Sequence, residues 1–187
     1  MINEAADAGT AQAVSLTMAG GITESLSARG RYCVECRDAD GALKWQDVIE
    51  NVVTTVGKND ILDKYFAGAA YTQTIVMGLK GTGSAVIGDT QASHASWLEV
   101  GLANAPTYTG NRKVPAFNAA SAGSKATTAT AFAITSTGTV AGCFINNGGS
   151  STIDNTTGVL YSAGDFSGGS RAVISGDTLN VTYTASV

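Results

Sequence analysis

His94 is the one histidine in the chain and the only side chain suited to be the general base of a Ser-His-Asp triad. Such a base must be held by an acid and must contact a nucleophile. Ser93 precedes His94, but adjacent residues do not face each other productively, and the sequence lacks a Gly-x-Ser-x-Gly nucleophile elbow. We therefore interpret His94 as a structural histidine in a turn that hydrogen-bonds a backbone carbonyl, with Trp97 anchoring the strand that follows.

The three cysteines raise the question of a metal site. Cys33 and Cys36 have C-x-x-C spacing, and with Cys143 and His94 they make four soft ligands, the number that tetrahedral zinc requires. A zinc motif normally repeats the close pair, and on a strand Cys33 and Cys36 face opposite sides. We favour free thiols in an apolar environment and predict no metal and no cofactor. Whether the three cysteines lie near one another is left open.

Glycoside hydrolysis needs a pair of carboxylates. Glu99, Asp154 and Asp165 are the candidates, and nothing in their sequence context distinguishes them. Asp154 is better explained as a turn former, and the loop that it forms with Asn155 lacks the spacing of an EF-hand calcium site. The sequence predicts a protein that is not an enzyme and has no catalytic residues.

Five aromatic residues could build a sugar-binding platform: Trp45, Tyr71, Trp97, Tyr108 and Tyr161. Aromatic residues scattered among strands are more often core or interface anchors. We predict that Trp45 and Trp97 belong to the core. Tyr108, which lies in the middle of Pro106-Thr-Tyr-Thr-Gly110, is the best candidate for an exposed contact.

The low charge of the chain limits the classes of partner that it is expected to bind. Only 14% of the 187 residues are charged and the formal net charge is -4, against a usual charged fraction of about 25%. The absence of a basic cluster argues against nucleic-acid binding, which depends on phosphate neutralisation. Low surface charge suits a protein packed against neighbours. No apolar run is long enough to span a membrane and no secretion signal is visible, so we expect assembly in a cytoplasm.

Polar and apolar residues alternate with a period of two near the C-terminus, where Leu179, Val181 and Tyr183 share one face. The same pattern predicts strands over 32–36, 42–48, 74–79, 97–102, 114–119, 126–135, 139–145, 158–163 and 178–185. Residues 52–56 are expected to continue the first hairpin, whose turn is 38–41. A short helix is predicted over 59–67, capped by Asn59 or Asp60, with its apolar stripe packed on the sheet. Residues 89–94 are expected to form a helical turn.

These elements predict an all-β fold with one short helix. Regularly spaced strands and glycine-rich breaks favour an antiparallel β-sandwich over residues 31–187, either jelly-roll or immunoglobulin-like, with the strand order left open. Residues 1–30 contain no aromatic residue and are predicted to be an extended N-terminal arm, docked on a partner or solvated.

The tripeptide Gly-Asp-Thr occurs at Gly88 and again at Gly176. The sequences that flank the two copies differ, so an internal domain repeat is not indicated. We predict that both copies serve as turns.

Several stretches resemble a group of small virion proteins of tailed bacteriophages. The stretches are 32–45, 56–63, 77–79, 88–97, 142–145, 160–166 and 176–181, and the resemblance covers about 31–187. The resemblance implies a structural protein of the phage head, similar to the capsid decoration (cement) proteins, which are β-sandwich domains placed in several copies on the shell. No functional residues are carried over, because the group has no site defined by a motif.

The resemblance therefore implies a decoration protein on the capsid surface of the virion, assembled in the host cytoplasm. Its expected partners are the major capsid protein and other copies of itself, with a trimer as the favoured oligomer, and neither nucleic acid nor membrane. Many weakly bound copies can stabilise a shell through multivalency. The alternative is a tail or fibre component that binds host glycans, with Tyr108 as the contact residue.

Overall fold

Within residues 27–66 and 74–187, which the computed structural model describes, the chain folds into antiparallel β-strands and one helix. The all-β prediction is confirmed at this level. In chain order the elements are β1 (Arg29–Arg37), β2 (Leu43–Glu50), β3 (Val52–Val53), α1 (Thr55–Phe66), β4 (Ile75–Lys80), β5 (Glu99–Val100), β6 (Ser124–Ala126), β7 (Thr130–Ala133), β8 (Gly138–Val140), β9 (Gly142–Asn147), β10 (Val159–Asp165), β11 (Arg171–Val173) and β12 (Thr178–Ser186).

The first sheet is organised around the C-terminal strand. Its order is β2-β1-β12-β6, and β7 also pairs with β12. The alternation predicted for β12 is present, since Leu179, Val181 and Tyr183 are buried while their neighbours are half-buried. Strand β1 pairs with β12 along its whole length, from Arg29 opposite Ser186 onward. Arg29 at the start of β1 and Ser186 at the end of β12 therefore lie side by side.

The second sheet has the order β3-β10-β9-β4-β5, and β8 and β11 form a separate two-stranded ribbon. All six residues of β9 are buried, as expected of a central strand covered on both faces. Side chains of both larger sheets contribute to one apolar core, including Tyr32 and Val181 of the first and Met77 and Ile145 of the second. Burying each such side chain contributes about 1.5–3 kcal/mol.

The helix begins four residues earlier than predicted. The Thr54 hydroxyl accepts the Gly57 N–H at 3.0 Å, so Thr54 caps the helix and the predicted caps Asn59 and Asp60 were wrong. The predicted packing of the apolar stripe was also wrong. Leu62, Tyr65 and Phe66 are exposed, because the helix meets β10 through its Gly57 side.

Gly57 is the contact that brings α1 against β10. A methyl group at this position would lie 2.9 Å from the Tyr161 Cα and still closer to its carbonyl oxygen. We expect Gly57→Ala to lower the free energy of unfolding by about 1–3 kcal/mol through overpacking, despite the better helix propensity of alanine. Urea unfolding measures the loss of stability in Gly57→Ala. Gly88→Ala is the control, because nothing lies within 4 Å of a methyl group at position 88. Equal stability of the two variants would show that the helix does not need the close approach.

Several strand boundaries differ from the prediction. The predicted strand 126–135 is two strands, β6 and β7, interrupted where the Thr127 hydroxyl accepts the Tyr183 N–H and replaces a ladder bond. The predicted strand 139–145 divides at Ala141, with β8 and β9 in different sheets. Residues 97–102 contribute only β5, and residues 114–119 only a bridge from Phe117 to Thr127. Residues 52–56 contain β3 and the start of α1 instead of a continued hairpin strand. Residues 89–94 form a bridged turn between Thr90 and Ser93 instead of a helical turn.

Both Gly-Asp-Thr copies form the same turn, as predicted. The Asp89 carboxylate accepts the Val86 N–H at 2.9 Å, and the Asp89 N–H returns to the Val86 carbonyl at 3.1 Å. Asp177 makes the same two bonds with Ile174, again at 2.9 and 3.1 Å. Each aspartate therefore closes a four-residue turn with its side chain and its backbone together.

The first strand reaches into the segment assigned to the arm. Because β1 begins at Arg29, the last two residues of the predicted 1–30 arm belong to the sheet. Residues 1–26 lie outside the described residues, as does Tyr71.

Candidate functional site

Two of the three candidate carboxylates are held in ion pairs. Glu99 is buried and accepts the Arg112 guanidinium at 2.8 and 2.6 Å through its two carboxylate oxygens. Asp165 pairs with the buried Lys80 and accepts the Ala85 N–H at 3.1 Å. Asp154 is exposed, has a φ of 64°, and donates its backbone N–H to Glu99, consistent with a turn former.

The Arg112 side chain joins three segments of the chain. Besides Glu99, its guanidinium donates to the carbonyls of Ser150 and Asn155 at 3.0 and 2.8 Å. It also lies over the Phe144 ring, 5.4 Å from the centroid. A buried charge with this many partners stabilises loops and is not available to a substrate.

His94 makes the carbonyl hydrogen bond that the sequence predicted. Its Nδ1 lies 3.0 Å from the Trp97 carbonyl oxygen, and its ring stacks on the Trp97 ring at 3.9 Å between centroids. Trp97 is buried and donates its indole N–H to Asp89 at 2.9 Å. His94 is thus part of a small structural cluster that closes the 89–97 loop.

An open polar groove of about 360 Å³ lies beside this cluster. Its lining includes His94, Asn104, Asp154, Asn155 and the buried Gln91. Amide, imidazole and carboxylate groups at a groove surface can hydrogen-bond a neutral polyol. Ser93 also lines the groove, while Nδ1 of His94 is hydrogen-bonded to the Trp97 carbonyl.

The three cysteines form no disulfide bond. All three are free, with Cys33 exposed and both Cys36 and Cys143 buried. Burial raises the pKa of Cys36 to about 11, aided by the neighbouring Asp177 carboxylate, and burial likewise raises the pKa of Cys143. Cys33 and Cys36 face opposite sides of β1, as expected from strand alternation. Within residues 27–66 and 74–187, no group of three metal-ligating side chains could hold a metal ion.

Of the five aromatic residues considered for a sugar-binding platform, the four in the described part of the chain do not form an exposed surface. Trp97 is buried, as predicted, and Trp45 is half-buried with its ring edge against Phe166 at 5.5 Å. The prediction for Tyr108 was wrong, since only 4% of it is exposed. Its ring packs edge-on against Phe132 at 5.0 Å, because the 105–109 loop lies against β7 and places the tyrosine inward.

Tyr108 has a buried hydroxyl without a hydrogen-bond partner. Desolvation raises its pKa above the ordinary value of 10.0. We expect Tyr108→Phe to leave the stability unchanged or raise it by about 1 kcal/mol, because the variant no longer buries an unpaired polar group. Thermal unfolding measures this, with Tyr32→Phe as the control, since the Tyr32 hydroxyl is hydrogen-bonded to Ser162 at 2.7 Å and its loss should destabilise. A clear loss of stability in Tyr108→Phe would contradict the geometry.

Asp177 is another buried carboxylate, and the sequence did not single it out as a charged site. It accepts the Lys44 ammonium at 2.6 Å, the Ile174 N–H at 2.9 Å and the Cys36 thiol at 3.7 Å. Burial would raise the pKa of Asp177, but these hydrogen bonds, led by Lys44, outweigh it and lower the pKa below 3.8. The repeated Gly-Asp-Thr motif is the sequence feature that could have pointed to Asp177, although the motif does not identify Lys44 as its ion-pair partner.

The lowered pKa of Asp177 makes stability depend on pH. A carboxyl group whose pKa is lower in the folded state contributes stability above its unfolded value, and that contribution is lost as pH falls below about 4 toward the folded value. We expect Lys44→Met to unfold at a higher pH than the wild type in an acid titration followed by circular dichroism. Lys58→Met is the control, because Lys58 is exposed and has no ion pair in the described structure. Identical acid midpoints for Lys44→Met and the wild type would contradict the linkage.

The outer side of α1, which we call the apolar helix face, presents exposed apolar side chains. It consists of Leu62, Tyr65 and Phe66, which are 49%, 79% and 77% exposed. The two aromatic rings contact each other edge to face at 5.0 Å. Exposed apolar groups of this size, grouped on one element, are typical of an interaction surface.

Comparison of the chain with protein-family models, with curated proteins and with solved structures finds no match. In the described part of the chain, no helix has the length and hydropathy needed to cross a membrane.

Proposed function

We propose that this protein is a structural component of a tailed-phage virion, a capsid decoration protein that binds the outer surface of the shell. The observation that carries the proposal is the apolar helix face, which presents two aromatic rings to solvent on an element capped by Thr54. Aromatic residues dominate the binding energy of protein interfaces. The sequence resemblance supplies the kind of partner, a capsid protein.

The way the charged side chains are used supports a structural role. Buried or partly buried ion pairs hold Glu99, Asp165, Asp47 and Asp177, each with a lysine or arginine. These pairs connect strands and loops that are distant in the chain. Such cross-links suit a protein that must keep its shape under load, because breaking a buried pair is costly.

For the fold, we infer a β-sandwich. The two five-stranded sheets share one core, with Tyr32 and Val34 on one side and Leu79 and Cys143 on the other. Such a domain offers a rigid base for α1. A trimer on the shell and the major capsid protein as direct partner remain part of the proposal, since many copies with modest affinity stabilise a lattice together.

The proposal is tested with capsids assembled without this protein. Purified protein is added to such capsids and, separately, to isolated tails, and bound protein is measured after sedimentation. Saturable binding to capsids in many copies per particle is the expected result. Binding to tails and not to capsids would overturn the decoration role.

The polar groove favours a second function, a tail or fibre module that binds host glycans. His94, Asn104 and Asp154 line an open space of about 360 Å³, and such groups can hydrogen-bond sugar hydroxyls. This function is tested by titrating bacterial surface polysaccharide onto the wild type and Asn104→Ala. Binding that the substitution weakens would favour it, and absence of binding would exclude it.

A further inference from the structure

Two side-chain amides that line the polar groove are oriented by backbone carbonyls. Gln91 donates its Nε2–H to the Asn155 carbonyl at 3.3 Å, and Asn104 donates its Nδ2–H to the Glu99 carbonyl at 2.9 Å. A carbonyl oxygen only accepts hydrogen bonds, so in each amide the nitrogen must be the atom that meets it. The oxygen of each amide therefore remains an acceptor for a ligand.

Gln91 supplies the buried acceptor of the groove. Only 2% of the residue is exposed, and no described residue donates a hydrogen bond to its Oε1. A buried acceptor without a donor is costly, because burial removes its hydrogen bonds to water. A ligand that donates to Oε1 removes that cost.

His94 adds a third acceptor. Its Nδ1 lies 3.0 Å from the Trp97 carbonyl oxygen, so Nδ1 must carry the proton of that hydrogen bond. A neutral imidazole with its proton on Nδ1 has an unprotonated Nε2, which accepts. The same reasoning therefore applies to three neighbouring side chains of the groove.

The charge of the lining is negative. No lysine or arginine of the described chain lines the groove, and its two acids are Glu99 and Asp154. Arg112 neutralises Glu99, whereas Asp154 is exposed and forms no ion pair with the described residues. Unused acceptors beside a carboxylate attract a cationic donor and repel a carboxylate or a phosphate.

An organic ammonium group fits this arrangement better than a metal ion does. Among the residues that the structure describes, no three His, Cys, Asp or Glu side chains are placed to hold a metal. The space of about 360 Å³ also lies within the range of about 300–1,000 Å³ that small-molecule sites occupy. The groove therefore has room for a ring that carries the ammonium group.

The other groups of the lining suit hydroxyls and an apolar ring face. The Asn155 Oδ1 accepts the Thr157 N–H at 2.9 Å, which leaves the Asn155 Nδ2 as a donor. The hydroxyls of Ser93 and Thr156 can donate or accept. Leu98, which is 61% exposed, offers apolar contact. Hydroxyls, an ammonium group and an apolar ring face together describe an amino sugar.

We propose that the polar groove binds an amino sugar with a free amine, whose ammonium group donates to Asp154. Gln91, His94 and Asn104 accept the remaining hydrogens of the ammonium group and of the neighbouring hydroxyls. This inference names the ligand class of the second function proposed above and rests on that function. It does not depend on capsid decoration.

The test compares the glucosamine trisaccharide with its fully N-acetylated counterpart, which lacks the charged amine. Each is titrated onto the full chain by calorimetry, and the two indole N–H signals are followed by NMR. We expect the glucosamine trisaccharide to bind about tenfold more tightly or better, because hydrogen bonds to charged groups are the stronger ones. It should shift the indole signal of Trp97, which lines the groove, and leave that of Trp45 unchanged.

Asp154→Asn removes the charge and leaves the backbone undisturbed. Asp154 has a φ of 64°, which asparagine tolerates, and its N–H to Glu99 is retained. We expect the affinity for the glucosamine trisaccharide to fall about tenfold and that for the N-acetylated one to stay the same. Asp40→Asn is the matched control, since Asp40 is exposed in the β1–β2 turn and does not line the groove. Equal losses in the two variants would overturn the assignment of the ammonium group to Asp154.

The remaining outcomes separate this inference from the function on which it rests. Equal affinity for the two trisaccharides would overturn the amine specificity and leave glycan binding intact. Binding of neither would overturn the inference, and the polysaccharide titration described above then decides the glycan function separately. Calcium ions alone that shift the Trp97 signal and displace the glucosamine trisaccharide would identify a metal site and would also overturn the inference.

Discussion

Arg112→Met is expected to lower the free energy of unfolding by about 3–5 kcal/mol, because it leaves the Glu99 carboxylate buried without its counter-charge. Both side chains of this pair are almost fully buried. The substitution also removes the hydrogen bonds to the carbonyls of Ser150 and Asn155. Denaturant unfolding followed by tryptophan fluorescence measures the loss.

The exposed pair of Arg31 and Glu50 supplies the control. Its atoms lie 3.5 Å apart with both side chains largely in solvent, so Arg31→Met should stay within about 1 kcal/mol of the wild type. The double variant Glu99→Leu with Arg112→Met should recover part of the loss, since it removes both buried charges. Equal effects of Arg112→Met and Arg31→Met would contradict the structural role of the buried pair.

The second large effect is expected on binding. Replacing Tyr65 and Phe66 together by serine should weaken attachment to capsids by about 30-fold or more, because the loss of even one aromatic anchor that contributes about 2 kcal/mol gives that factor. Multivalency makes the loss on a particle larger than on a single site. The stability of the isolated protein should change little, since both rings are exposed. Quantitative sedimentation with capsids measures the affinity.

Leu43→Ser and Leu62→Ser are the matched controls for that experiment. Both leucines are 49% exposed, but Leu43 lies on β2 and Leu62 on the apolar helix face. We expect Leu62→Ser to weaken capsid binding and Leu43→Ser to leave it unchanged. Equal effects of the two substitutions would show that binding does not use the helix.

The sequence was sufficient where a local pattern determines the structure. Period-two alternation located β12 and its buried face, and the two Gly-Asp-Thr copies were identified as turns, because strand facing and turn closure depend on nearby residues. The burial of Trp97 and the carbonyl contact of His94 also followed from their local context. Nothing in these patterns required knowledge of distant partners.

The sequence was insufficient where long-range contacts decide the outcome. The Thr127 hydroxyl breaks a strand because Tyr183, 56 positions away, donates to it. Tyr108 turned inward because Phe132 offers an edge-on contact. The partners Arg112 and Lys44 could not be assigned to Glu99 and Asp177, since only the folded sheets bring those pairs together.

For helix α1, the local sequence was sufficient to predict that a helix forms but not where it starts or how it packs. Its existence was predicted from the apolar residues after Asn59, but its start depends on Thr54 and its docking on Gly57. A stripe that the pattern assigned to the sheet is exposed instead. Apolar periodicity does not distinguish a face that packs within the chain from a face that binds a partner.

The measurement that tests the central claim most directly is cryo-electron microscopy of the virion that contains this protein. We predict density for the fold in many copies on the outer surface of the capsid lattice, with Tyr65 and Phe66 against the shell. Density in a few copies at the tail or neck, or a lattice position with the apolar helix face turned to solvent, would contradict the proposal.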